Sequence, residues 1–262
     1  MRTLMLRLVT LFAGMGAAAL LGAAAARAAP EEIQVYMNEM DAPGEFGLDL
    51  HNNYVLSGSP AIEYPGAQAS LHRYRLTPEF SYGLTPTVDL GAYLPLLTLT
   101  DQGKLSAEGI KFRIKYIAAK SFAKNTWWGL NLEVGNVSRA LDINPWNAEL
   151  KTIVGGRFDN WLLAANMNVD FVVSGPQPGP ATLDVDGKVS YSVSAKTQLG
   201  VETYSGLGPL SRLGGPQRGD QVIYVVADTS IGKWGLDVGL GRGFSASQDR
   251  WVFKAIVVVP IM

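Results

Sequence analysis

EGIKFRIKYIA, Glu108 to Ala118, sets Lys111, Arg113 and Lys115 at every second position, with Ile110, Phe112, Ile114 and Tyr116 between them. On a helix, residues two apart do not share a face, so this pattern would scatter charge around the cylinder. On a strand it makes one charged face and one oily face.

The same grammar repeats along the chain. From Glu45 onward, twelve segments of alternating polar and apolar side chains are separated by turn residues, the first at Glu45 to Ser57 and the last at Arg250 to Ile261. Their connections alternate in length. GSPAIEYPGAQA, TDQGKLSA, SRALDINPWN, SGPQPGPA, GLGPLSRLGGPQRG and SASQD are mostly longer and rich in Gly, Pro and Ser, whereas TPT, KSFAKN, DN, SAK and GK are shorter. Long loops outside and short turns in the periplasm are the wiring of outer-membrane barrels. The chain therefore reads as all-β: a transmembrane antiparallel up-and-down β-barrel of about 12 strands over residues 45–262, with both termini periplasmic.

In a barrel the charged face must look inward, because Arg or Lys facing lipid at the midplane costs about 2 to 4 kcal/mol. Parity then assigns a set of lumen candidates. These are Asp49 and His51 on the first strand, Arg73, Arg75 and Glu79 on the second, Lys111, Arg113 and Lys115 on the fourth, and Asp170, Asp184 and Asp186 further round. In strand order the bases form one sector and the aspartates another. QVIYVVA, Gln221 to Ala227, is apolar at successive positions and leaves its facing open.

The aromatic residues fall at strand ends. Trp128, Trp161 and Trp234 follow short turns, and Tyr54, Tyr74 and Trp251 lie near the opposite ends, as two membrane-interface belts require. A soluble sandwich or lipocalin-like barrel would invert the facing, with the apolar residues as core. Against that stand segments longer than the usual ~5 to 6 residues and an apolar band with aromatic ends.

The N-terminus supports export. Arg2 and Arg7 precede an apolar run from Leu8 to Ala26, and Ala26 and Ala28 supply the small positions before a cut, so residues 1–28 read as a cleaved signal peptide. Residues 29–44 read as a periplasmic N-terminal arm, either short and free or tucked into the barrel mouth. The expected location is the outer membrane of a Gram-negative bacterium. The expected partners are outer-membrane lipid, the barrel assembly machinery and a small-molecule solute. The chain ends VVVPIM, without the terminal aromatic residue that this machinery commonly reads.

No cysteine is present, so neither disulfides nor thiol chemistry is available. With 22 basic and 23 acidic residues, no field attracts nucleic acid.

GEFGLDLHNNYVLSG, YRLTPEFSYGLTPTVDLGAYLP, WWGLNLEVG, WNAEL and GRGFSASQDRWVFKAIVVVPI resemble a group of uncharacterised proteobacterial outer-membrane barrel proteins. More distantly, the chain is similar to the family named for the MetA pathway of phenol degradation. That likeness implies a barrel and uptake of aromatic compounds; it carries no catalytic or ligand-binding residues onto this sequence.

Chemistry has few candidates. There are two histidines. His72 has lipid-facing parity, and Tyr74 stands where barrel lipid hydrolases carry the serine of a His-x-Ser pair. His51 faces inward beside Asp49, but no motif places a hydroxyl nucleophile near it. Asp184 and Asp186 in LDVDGK share one face of a strand, and the other ligands of a calcium loop are missing. No cofactor, no metal and no enzymatic activity are expected. The leading reading is a channel or uptake protein for small solutes, aromatic or other organic compounds among them, with a charged lumen. Its rivals are a plugged structural or interaction barrel that presents its loops, because small barrels are readily filled by side chains, and a lipid-modifying enzyme built on His51.

Overall fold

The computed structural model describes residues 32–214 and 219–261; the signal-peptide assignment, residues 1–28, lies outside them. The strands are β1 Phe46–Gly58, β2 Tyr74–Thr85, β3 Val88–Tyr93, β4 Leu97–Leu99, β5 Leu105–Ala107, β6 Gly109–Ile117, β7 Thr126–Val137, β8 Trp146–Phe158, β9 Trp161–Ser174, β10 Thr182–Ser192, β11 Thr197–Pro209, β12 Asp220–Ile231, β13 Trp234–Ser245 and β14 Asp249–Val258. Every strand pairing is antiparallel, and β1 pairs with both β2 and β14, which closes the sheet. A closed sheet has no unpaired edge, as a membrane span requires.

The fourteen segments make twelve staves. β2 pairs first with β3 and then with β4, so these two are one stave, and β5 leads into β6 as the next. The first break falls at Pro95, which has no N–H for the ladder. The second falls at Gly109, whose φ is 142° and whose absent Cβ would lie 2.2 Å from the Asn136 carbonyl oxygen. There only glycine fits.

Side-chain burial settles the facing. Along β6, Arg113, Lys115 and Ile117 are buried, while Ile110, Phe112, Ile114 and Tyr116 are exposed. The exterior carries Phe80, Leu130, Leu132, Leu150, Met167, Leu199, Val225, Leu240 and Phe253 around the circumference. Monomeric soluble proteins rarely expose an apolar patch beyond a few hundred Å². This girdle is lipid-facing surface, and the inverted soluble arrangement is excluded.

Of the two placements open to the arm, residues 32–44 take the lumen. The chain leaves β1 at the short-turn end, pairs Pro43 with Gly83, and accepts a hydrogen bond from Gly83 N at the Glu45 carbonyl (3.0 Å). A Cβ at Gly83 would sit 2.2 Å from the Ala42 carbonyl oxygen, so the missing side chain is what lets the arm turn inward. From there it rises through the barrel. Val35 and Tyr36 are buried against Ile117, Trp127, Ile153, Leu162 and Ala164, and Ile33 packs on Val55, Val222, Tyr224, Val226 and Val252.

This explains QVIYVVA. Val222, Tyr224 and Val226 point inward and Ile223 and Val225 outward. Both faces are apolar because one meets lipid and the other meets the arm.

Candidate functional site

Above the arm, at the long-loop end, the lumen opens into a cavity of 370 Å³. Alternation on β2 and β6 brings Arg75 and Lys111 to its wall, and Arg73 joins them from just before β2. Alternation on β9 and β10 brings Asp170 and Asp184. β2 and β10 are six staves apart in a ring of twelve, so they stand on opposite sides. The two charge sectors read from the sequence therefore do face each other, but only at this upper level.

Lower down, the basic sector is compensated within itself. Arg113 Nε donates to Glu79 Oε1 at 2.5 Å, and Asp89 lies 3.6 Å from Arg113 and 3.9 Å from Lys115. Glu79 also binds His51, with Nε2 to Oε2 at 2.9 Å. The imidazole is thus partnered by a carboxylate on the neighbouring strand. Asp49 lies directly opposite Glu79 in the ladder. On the acidic side Asp186 accepts from Asn168 Nδ2 at 2.7 Å, and Arg73 reaches across β1 to Asp249 on β14 at 3.1 Å.

The floor is a second, narrower cavity of 80 Å³, lined by Glu32, Ile33 and Gln34 of the arm together with Glu149, Lys151, Asp186 and Tyr224 among others. Asp220 and Asp249 line both cavities, so the two adjoin at that wall. Beneath them the arm is held by directed bonds. Asn166 pairs with both polar atoms of the Tyr36 backbone, and the Tyr36 hydroxyl meets the Tyr93 hydroxyl and Glu133 Oε1 (3.2 Å). The Lys151 ammonium lies 4.0 Å from the Tyr36 ring centre, and Lys254 donates to the Ile33 carbonyl at 3.3 Å. A cation over an aromatic face is attracted by the ring's quadrupole, more strongly when desolvated.

Toward the short-turn end the inner wall is tied by Lys188 and Lys254. Both contact Glu202, at 2.9 and 2.5 Å, and Asp237, at 3.4 and 3.3 Å. The network meets the arm at Ile33, whose carbonyl accepts from Lys254.

The aromatic residues chosen as interface belts lie at strand ends with accessible outer faces. Trp161, Trp234 and Trp251 are exposed. Trp128 contacts Tyr116 and Phe122, Tyr54 stacks near His72, and the Tyr74 hydroxyl donates to Asn52 Oδ1 at 2.6 Å. Of the residues that hold Tyr36, alternation turns Tyr93 and Asn166 inward but says nothing of what they meet, and Trp127 is not among the candidates. Trp127 had a signal: its parity is opposite to that of Trp128, so of two adjacent tryptophans one had to enter the lumen.

No protein family matches the chain by sequence, and no curated protein does. Among solved structures, an outer-membrane channel from Pseudomonas putida F1 superposes with a TM-score of 0.57 at 14% identity, covering 87% of this chain and 99% of its own. The KdgM porin superposes with a TM-score of 0.55 at 13% identity, covering 82% of this chain and 99% of its own. The NanC porin gives 0.55 at 11%, covering 82% and 100%. At these identities the likeness is one of fold: this chain has the architecture of outer-membrane β-barrel channels.

Proposed function

We propose that this protein is an outer-membrane channel for small solutes, entered from the long-loop side and gated by its own N-terminal arm. The observation that carries the reading is the 370 Å³ vestibule adjoining a second cavity that is lined by Glu32, Ile33 and Gln34 of the arm. By the wiring rule for such barrels the vestibule faces the exterior and the arm enters from the periplasm. Nothing covalent closes the barrel below the vestibule. Passage needs only the arm to shift.

The facing sectors Arg73, Arg75 and Lys111 against Asp170 and Asp184 support selection for polar solutes, since charged rings and sectors set pore selectivity. The likeness to the phenol-degradation family adds aromatic compounds to the candidates, and Tyr64, Val137 and Leu141 on the vestibule wall offer apolar contact. A barrel enzyme on His51 is disfavoured because its Nδ1, the nitrogen that Glu79 leaves open, has no hydroxyl partner, and the residue is 1% exposed.

Planar-bilayer recording tests the proposal. The full chain should show small or intermittent openings, and removal of residues 32–42 should give larger, steadier ones. A folded barrel that stays silent with and without the arm would instead support the plugged interaction barrel.

A further inference from the structure

We infer that Glu32, His51 and Glu79 form a divalent-cation site that fastens the arm to the barrel wall. Glu32 comes from the arm, His51 from β1 and Glu79 from β2. One candidate ligand atom from each lies within 4.8 Å of the other two. His51 pairs with Thr77 and Asp49 with Glu79, which makes His51 and Glu79 diagonal neighbours on one inward face.

Two atoms at this place lack partners. His51 is 1% exposed, and its Nδ1 is buried without a hydrogen bond. Glu32 Oε1 is also buried and unbonded. Leaving a buried acceptor unpaired is costly, and an ion bound by Glu32 would remove that cost for its carboxylate. A metal on His51 Nε2 would leave Nδ1–H as the outer nitrogen, without the acceptor that usually orients a ligating histidine, so the ion would relieve Glu32 and not Nδ1.

The ligand set of one imidazole nitrogen and two carboxylate oxygens suits Zn²⁺ or another first-row divalent ion, with a further coordination position left for water. Tetrahedral ligands about 2.0 to 2.1 Å from zinc lie about 3.3 Å apart. The His51 to Glu79 contact of 2.9 Å is already close to that spacing, and only Glu32 has to draw in. Glu79 keeps its second oxygen on Arg113. That bond orients the carboxylate and reduces its charge, which argues for modest affinity.

The site does not depend on the barrel conducting. The test is equilibrium dialysis of the chelator-stripped, refolded full chain against Zn²⁺, with Co²⁺ as the spectroscopic probe. One ion per folded chain is expected, with visible cobalt absorption characteristic of nitrogen and oxygen ligands. His51→Gln and Glu32→Gln should each weaken binding at least ten-fold. Glu32 lies on the arm and outside the wall, so its variant keeps the barrel intact and stands alone if His51→Gln fails to fold. Absence of one-to-one binding overturns the proposal, as does binding unchanged by Glu32→Gln, which would mark an adventitious ion at another place.

Discussion

Tyr36 and Asn166 hold each other in both directions: Tyr36 N donates to Asn166 Oδ1 at 2.6 Å, and Asn166 Nδ2 donates to the Tyr36 carbonyl at 2.9 Å. A primary amide side chain carries one donor edge and one acceptor, as a peptide unit does. The arm therefore gains the equivalent of a ladder pair without being a strand, inside a lumen where an unpaired peptide group would be costly.

Asn166→Leu keeps the side chain's approximate volume and leaves both Tyr36 backbone groups without their partner. At about 1 to 3 kcal/mol for each of the two buried groups so orphaned, arm docking should weaken by about 2 to 6 kcal/mol. The measurable outcome is a rise in open probability in bilayer recordings, with the barrel still migrating as folded on an unheated gel. Unchanged gating would show that the arm's remaining contacts, apolar and polar, hold it without Asn166.

Glu202 accepts from two buried ammonium groups, Lys188 and Lys254, and is itself 0% exposed. Glu202→Gln leaves both cations facing Asp237 with one carboxylate fewer. Breaking a buried pair on one side costs about 3 to 5 kcal/mol. Gel migration after graded heating should show the barrel unfolding at clearly lower temperature than the parent, whereas Glu45→Gln, at an exposed position, should change little.

Phe112 is 55% exposed on the outer face of β6, one residue from inward-facing Arg113. Phe112→Arg puts a cation against lipid and should cost about 2 to 4 kcal/mol if the residue lies near the midplane. Phe122→Arg, in the turn after β6, is the control, since that side chain is 85% exposed beyond the strand. Urea titration in lipid vesicles measures both. Equal tolerance would contradict the lipid-facing assignment of β6.

Alternation made most of this legible. Lys111, Arg113 and Lys115 face inward as their spacing requires, and so do Arg75, Glu79 and Asp186, because period two leaves a strand with one lipid face no choice. β11 runs on to Pro209 although Gly206 and Gly208 break its alternation, and its pairing with β10 shifts register between those two glycines. What failed was the lumen's content. Val222, Tyr224, Val226, Leu162 and Ile153 are apolar and inward because the arm covers them. No local period encodes a contact between residue 36 and residue 166. The neutralisation of Arg113 by Glu79 and Asp89 was hidden for the same reason: sectors can be read from strand order, whereas side-chain pairing across staves cannot.

The vestibule and the lower lumen separate charges that the sequence groups together. Lys111 lines the open cavity, while Lys115 is buried beside Asp89 and its ammonium lies 5.7 Å from the Tyr36 ring centre. Reversal of the two should therefore have different consequences. Arg75→Glu combined with Lys111→Glu changes the field at the mouth and should move the zero-current potential in a KCl gradient toward cation preference, by a several-fold change in permeability ratio. The shift should shrink near 1 M salt, where the screening length falls to about 3 Å. Lys115→Glu instead sets a carboxylate against Asp89 beneath the arm and should lower barrel stability, with its effect on selectivity secondary. If the mouth variant folds and conducts with an unaltered permeability ratio, selection lies elsewhere in the lumen. The same recording with residues 32–42 removed would then show whether the arm itself is the filter.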